Sequence, residues 1–175
     1  TSEALLWGAN PEVRDLAWNY SKPGAWKRAV QAQQEGRLQI AVVDPRTTES
    51  ARKASRHVAP LPETDWAIQL GMIKRIIEKH WYAPDIPERV NGFDALRELV
   101  ADISVEQLAA HADVAGSDID ALGEGFPTAP AAILQANTGP TQAARSPAAR
   151  SDCAEACSPA STTSVCRPSS AKAAH

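Results

Sequence analysis

The chain has 175 residues, of which 22% are charged and 43% hydrophobic, and its formal net charge is −3. That is an ordinary soluble globular balance, and the mild acidity argues against a nucleic-acid partner or a membrane-surface protein. No apolar run reaches the roughly 20 residues that a membrane-spanning helix needs, so direct membrane insertion is not expected.

The opening Thr1-Ser2-Glu3-Ala4-Leu5-Leu6-Trp7 has neither a basic leader nor a cleavage signature, and it runs straight into apolar residues. It reads as the interior of a longer chain. Ala4 to Trp7 is expected to be a short strand, stopped by the turn Gly8-Ala9-Asn10-Pro11. A helix is expected over 23–35, with Pro23 in its first turn and Gly36 at its stop. Leu38-Gln39-Ile40-Ala41-Val42-Val43 reads as a buried strand ended by Asp44-Pro45, and His57-Val58-Ala59-Pro60 as a further short one.

Thr64 or Asp65 is expected to cap a helix running to about Tyr82, with Ala67, Leu70, Ile73, Ile76, Ile77 and Trp81 as its core face. A helix follows Asp94, a capping box at Ser104-Val105-Glu106-Gln107 opens another through Ala112, and Ser117 or Asp118 opens a short one toward Leu122. Ala132-Ile133-Leu134-Gln135-Ala136 reads as a last strand. Strands alternating with helices predict an α/β fold: a Rossmann-like, mostly parallel sheet with helices on both faces, over residues 1–142. Residues 143–175 are rich in Ala, Ser, Pro and Arg, hold one large apolar residue (Val165), and are read as a disordered tail.

In such a sheet ligands bind beyond the carboxyl ends of the strands, and three segments fall there. Gly8 in Trp7-Gly8-Ala9-Asn10-Pro11 permits close backbone approach, and the turn can present N–H groups to a phosphate. In Val43-Asp44-Pro45-Arg46-Thr47 the acid is placed to accept hydrogen bonds from a ribose diol, while Arg46 suits a phosphate or the face of a base. In Glu63-Thr64-Asp65 a carboxylate at a helix start can accept two parallel hydrogen bonds from a guanine edge. Each alone is as readily a turn, a chain break or a cap; three together describe a nucleotide cleft. The Gly-x-Gly-x-x-Gly fingerprint and the Walker loop are absent, which disfavours a standard NAD site.

Trp7 to Pro11, then Val42-Val43-Asp44-Pro45-Arg46-Thr47-Thr48-Glu49-Ser50-Ala51, then Pro62-Glu63-Thr64-Asp65-Trp66-Ala67-Ile68-Gln69-Leu70-Gly71-Met72 resemble three successive blocks of the dimethyl sulfoxide reductase family. Val90-Asn91-Gly92-Phe93-Asp94-Ala95-Leu96-Arg97 resembles a later one, and the likeness spans roughly 3–142. These are prokaryotic molybdenum oxidoreductases with a bis(molybdopterin guanine dinucleotide) cofactor. The resemblance implies that Trp7, Gly8, Ala9, Asn10, Pro11 and Glu12 lie along one pyrophosphate. It implies that Asp44 binds the ribose, that Val43, Pro45, Arg46 and Thr47 shape the guanosine pocket, and that Asp65 reads the guanine, held by Glu63 and Thr64.

The family's N-terminal cysteine cluster for an iron–sulfur centre and its molybdenum-ligand region have no counterpart here. The three cysteines, Cys153, Cys157 and Cys166, sit in the tail at spacings that fit neither that motif nor a disulfide framework. The implied partners are the missing domains of a parent enzyme, which would carry any iron–sulfur cluster, and electron-transfer subunits. The chain alone is expected not to turn over, with neither catalytic nor metal-ligating residues assigned. After Asn137-Thr138-Gly139-Pro140-Thr141-Gln142 the likeness stops abruptly, as a frame-shifted or otherwise aberrant end would make it. Relatives occur on both sides of the inner membrane, so compartment stays open.

His57, His80, His111 and His175 show no metal-ligand spacing. His80 suits the end of a helix, as a partner of its dipole. Trp18, Tyr20 and Trp26 read as core or as contacts to the rest of a parent enzyme, with a funnel lining as the alternative. Two rivals to the cofactor-binding reading remain: a module for another nucleotide or a flavin, and a non-functional remnant.

Overall fold

The computed structural model describes residues 1–13 and 24–137. Trp18, Tyr20, Pro23, the loop beyond Asn137, the three cysteines, His175 and the whole tail lie outside the described residues. In chain order the elements are β1 (Ser2–Trp7), α1 (Ala25–Gln34), β2 (Leu38–Val43), a 3-10 turn (Ala51–Lys53), β3 (Arg56–Val58), α2 (Asp65–Glu78), α3 (Ile86–Arg89), α4 (Phe93–Ala101), α5 (Val105–Ala112), α6 (Gly116–Thr128) and β4 (Ala132–Ala136).

The strands pair in the order β3-β2-β1-β4, and every pairing is parallel. Side chains alternate across such a sheet, so an unbroken apolar strand must be covered on both faces. Ala4, Leu6, Ile40 and Val42 pack on one face with Trp26 and Ala29 of α1 and with Ala51. Leu5, Trp7, Ala41, Val43 and Val58 pack on the other with α2, α5 and α6. The expected α/β fold, a parallel sheet between helices, is what these residues form.

Three helices differ from their sequence reading. The buried positions of α2 are Ala67, Ile68, Gly71 and Met72, and Ile73, Ile76 and Ile77 are only half-buried. Gly71 sets this register: a Cβ there would stand 2.8 Å from Ile119 Cγ2, so the missing side chain lets α6 approach. The same helix stops at Glu78 rather than near Tyr82, because His80 turns left-handed at φ 54°. A short α3 that the sequence reading did not anticipate then leads to α4, and Lys74 Nζ donates to Val100 O and Ala101 O, satisfying carbonyls at its end. Last, α6 runs 13 residues where a short helix was expected, since Gly123 and Gly125 lie close against α2 and Glu3. Tertiary packing overrides their weak helix propensity.

Candidate functional site

The parallel register aligns Trp7 with Val43, Val43 with Val58, and Trp7 with Ala136, so all four strands end at one edge. The chain moves from β1 outward to β2 and β3, then returns to the other side of β1 for β4. That reversal makes the carboxyl end of β1 a topological switch point, the place where open α/β sheets take their ligands. The turn after β1 is bonded to β2 through Gly8 N–H to Val43 O at 2.9 Å, and the turn after β2 to β3 through Asp44 N–H to Val58 O at 3.1 Å. The third segment is tied in by a side chain: Trp7 Nε1–H donates to Asp65 Oδ1 at 2.5 Å. Asn10, Asp44 and Asp65 therefore share one edge of the sheet.

The fourteen sequence-predicted site residues divide by exposure. Trp7, Ala9 and Val43 belong to the two cores, and Pro11 is fully buried, so these side chains build the scaffold. Gly8 adopts φ 60°, a conformation that favours glycine, and this lets the backbone turn sharply off the strand. Pro45, Arg46, Thr47 and Glu63 are exposed, while Asn10, Glu12 and Asp65 are half-buried.

Asp44 is only 7% exposed. Its Oδ1 accepts from Arg46 N–H at 2.9 Å, closing a turn on itself, and its own carbonyl oxygen lies 2.9 Å from His57 Nε2. Glu63 takes a left-handed φ of 72°, and Thr64 follows at the N-cap position of α2. Thr64 does not cap as expected: its hydroxyl donates to Leu61 O at 2.7 Å, which tightens the entering loop instead. Asp65 is the first helical residue rather than the cap, and its negative charge there favours the helix dipole.

Glu12 is engaged by neighbouring side chains. Its carboxylate pairs with Lys53 Nζ at 2.7 Å and accepts from Trp26 Nε1, and those hydrogen bonds, Lys53 first, hold its pKa below the ordinary glutamate value. Glu49 is likewise held low by the hydrogen bond from Asn10, with its own backbone amide and Arg52 and Arg46 adding to the effect. Both carboxylates stay ionised and engaged, so neither is a free negative charge opposing a phosphate.

Sequence reasoning missed four residues that shape this edge: Glu49, Ser50, Lys53 and His57. Ser50 is 0% exposed and bonds to both Asn10 and Glu12. No local signal marks it, because its partners lie 38 and 40 positions away. Among the described residues no group of three or more His, Cys, Asp or Glu could hold a metal ion, and no helix is long and apolar enough to cross a membrane.

No family model matches the chain. It is 44% identical over 64 residues to a selenate reductase subunit of Mesobacillus selenatarsenatis, a stretch covering 37% of this chain and 6% of that one. It is 30% identical over 97 residues to the dimethyl sulfoxide/trimethylamine N-oxide reductase of Rhodobacter capsulatus, covering 54% of this chain and 12% of the relative. Against the assimilatory nitrate reductase catalytic subunit of Bacillus subtilis the identity is 33% over 89 residues, covering 50% and 12%. The chain thus spans 6 to 12% of these relatives' lengths. Acetylene hydratase from Pelobacter acetylenicus has a similar fold, with a TM-score of 0.65 and 24% identity over 77% of this chain and 18% of that one.

Proposed function

We propose that the chain, which is similar over part of its length to molybdopterin-dependent oxidoreductases, belongs to the dimethyl sulfoxide reductase family and grips the guanosine diphosphate part of a molybdopterin guanine dinucleotide cofactor. One observation carries the reading. Asp65 stands at the carboxyl edge of the sheet with one carboxylate oxygen held by Trp7, and the other has no hydrogen-bond partner among the described residues.

A carboxylate fixed in that way suits guanine. Guanine offers an N1–H and a 2-amino group side by side, and a carboxylate accepts both in parallel, as charge-assisted hydrogen bonds. Adenine offers no such pair and leaves the carboxylate acceptors unmatched, which disfavours it. Asp44 keeps its second oxygen for a ribose hydroxyl, while its first holds the Arg46 amide. Gly8 N–H is given to Val43 O and Glu12 N–H to Ser50 Oγ, so the backbone donors left in this turn for the diphosphate are those of Ala9 and Asn10, and exposed Arg46 adds a cation for a phosphate or a flat face for the base.

The residues present fit the nucleotide end of such a group, since Glu12 and Glu49, the carboxylates bonded to the first turn and its fastening segment, are already committed to other partners. When bound, the cofactor supplies molybdenum-centred transfer of an oxygen atom or electron pair. This chain's contribution is to bind and orient it, in the way a protein positions a cofactor that carries the hard chemistry. The partners proposed are the remaining domains of the parent enzyme, the home of any iron–sulfur cluster, together with electron-transfer subunits.

Calorimetric titration of the full chain with GDP, ADP and flavin mononucleotide tests the reading. GDP is expected to bind at least tenfold more tightly than either. Equal affinity for GDP and ADP, or preference for the flavin, overturns it.

A further inference from the structure

We propose that Ser50 is a positioning residue that presets the phosphate-facing turn, and that the side chain of Asn10 is its fastening point rather than a ligand contact. The inference rests on the nucleotide-grip reading and goes beyond it, because it moves a residue of the first loop out of contact with the ligand.

The hydrogen bonds decide the matter by saturation. An Asn side chain has two acceptor lone pairs and two donor protons. Asn10 Oδ1 accepts from Ser50 N–H at 3.2 Å and from Ser50 Oγ–H at 2.7 Å, and Asn10 Nδ2 donates to Glu49 Oε2 at 2.8 Å. The amide orientation follows from Ser50 N–H, which can only donate and so must face oxygen. Three of the four capacities are therefore used by the 49–50 segment.

Ser50 is fully engaged as well. Its proton goes to Asn10, and its oxygen accepts from Glu12 N–H at 3.0 Å. At 0% exposure it is out of a ligand's reach. In the same loop, the Glu12 carboxylate is pinned by Lys53 and Trp26. The turn of residues 8–12 is thus tied at Asn10, at the Glu12 amide and at the Glu12 carboxylate, two of these ties being to Ser50 and one to Lys53. A turn held this way keeps its N–H groups in one conformation before the ligand arrives, and so avoids the ordering cost of binding.

Two measurements on the full chain test the clamp. In the free protein, amide exchange at Glu12 and Ser50 is expected to be at least tenfold slower than at the exposed Thr47; exchange as fast as there overturns the clamp without any ligand. In titrations, Ser50→Ala and Asn10→Ala should each weaken GDP about tenfold and leave guanosine, which lacks the phosphates, unchanged. The loss in the double variant should fall well short of the sum of the two single losses, because both substitutions remove the bond between Asn10 and Ser50. Additive losses, a much larger loss from Asn10→Ala alone, or equal losses for guanosine overturn the inference while leaving the nucleotide reading intact. Absence of GDP binding by the unaltered chain overturns that reading and this inference with it.

Discussion

The indole N–H of Trp7, the last residue of β1, donates to the Asp65 carboxylate, the first residue of α2, across 58 positions of sequence. Trp7 is 3% exposed and part of the core, so the anchor is rigid and the carboxylate it holds is fixed in orientation. The acid at the sheet edge is therefore aimed by the hydrophobic core itself.

That arrangement predicts the behaviour of Asp65→Asn. Asparagine can keep an oxygen for the Trp7 indole and offers an amino group in place of the second oxygen. Guanine, with two donors, then meets a donor. Xanthine, with N1–H beside a carbonyl, matches. Affinity for GDP should fall about a hundredfold, roughly 2.7 kcal/mol, and xanthosine diphosphate should bind better than GDP. Competitive titration measures it, and unchanged GDP preference would remove Asp65 from the base site.

Asp44 is proposed to hold the ribose, so the 2′-hydroxyl should matter. The unaltered chain should prefer GDP to 2′-deoxy-GDP by about tenfold, near 1.4 kcal/mol, and Asp44→Ala should bind both alike. Losing the Oδ1 bond to the Arg46 amide should also cost about 1 kcal/mol of stability. A preference that survives the substitution places the ribose elsewhere.

Gly71→Ala isolates the contact that sets α2. Alanine is the better helix former by about 1 kcal/mol, but its Cβ would lie 2.8 Å from Ile119 Cγ2 in a fully buried site. Overpacking should win, with a net loss of about 1–3 kcal/mol in denaturant melts. In the Ile119→Ala background the same change should cost less. A gain in stability from Gly71→Ala alone would show that α6 is not held at that distance.

Glu3 gives a pH dependence of worked sign. Burial raises its pKa above the ordinary glutamate value, and attraction to Arg56 only partly opposes this. Its folded-state pKa is thus above the unfolded one, so stability from this group is full below the unfolded pKa and is lost as pH rises through the folded one. Glu3→Gln cannot ionise. Its melting temperature should exceed that of the unaltered chain by a margin that grows from roughly pH 4 to pH 7. A margin that shrinks over that range reverses the assignment.

Much of the fold was legible in the residues. The apolar runs at Leu38–Val43 and Ala132–Ala136 declared strands because no charge interrupts them, and Ser104 declared a helix start because its hydroxyl can accept the Gln107 amide, as it does at 3.3 Å. Helix ends were less legible. His80 terminates α2 through a left-handed backbone that no local pattern announced, and α6 persists through two glycines because neighbours press on it.

At the candidate site, sequence alone determined which segments leave the carboxyl ends of strands, since alternation of strands and helices dictates a parallel sheet and a parallel sheet puts those turns on one edge. It also supplied the chemistry at Asp44, Arg46 and Asp65. Only the tertiary structure decided which groups are spent and which are available: Asn10 on Ser50 and Glu49, Glu12 on Lys53 and Trp26, one oxygen of Asp65 on Trp7. The reason is distance along the chain. Propensity and periodicity act over a few residues, whereas these bonds join positions 14 to 58 apart and exist only once the sheet has brought its loops together.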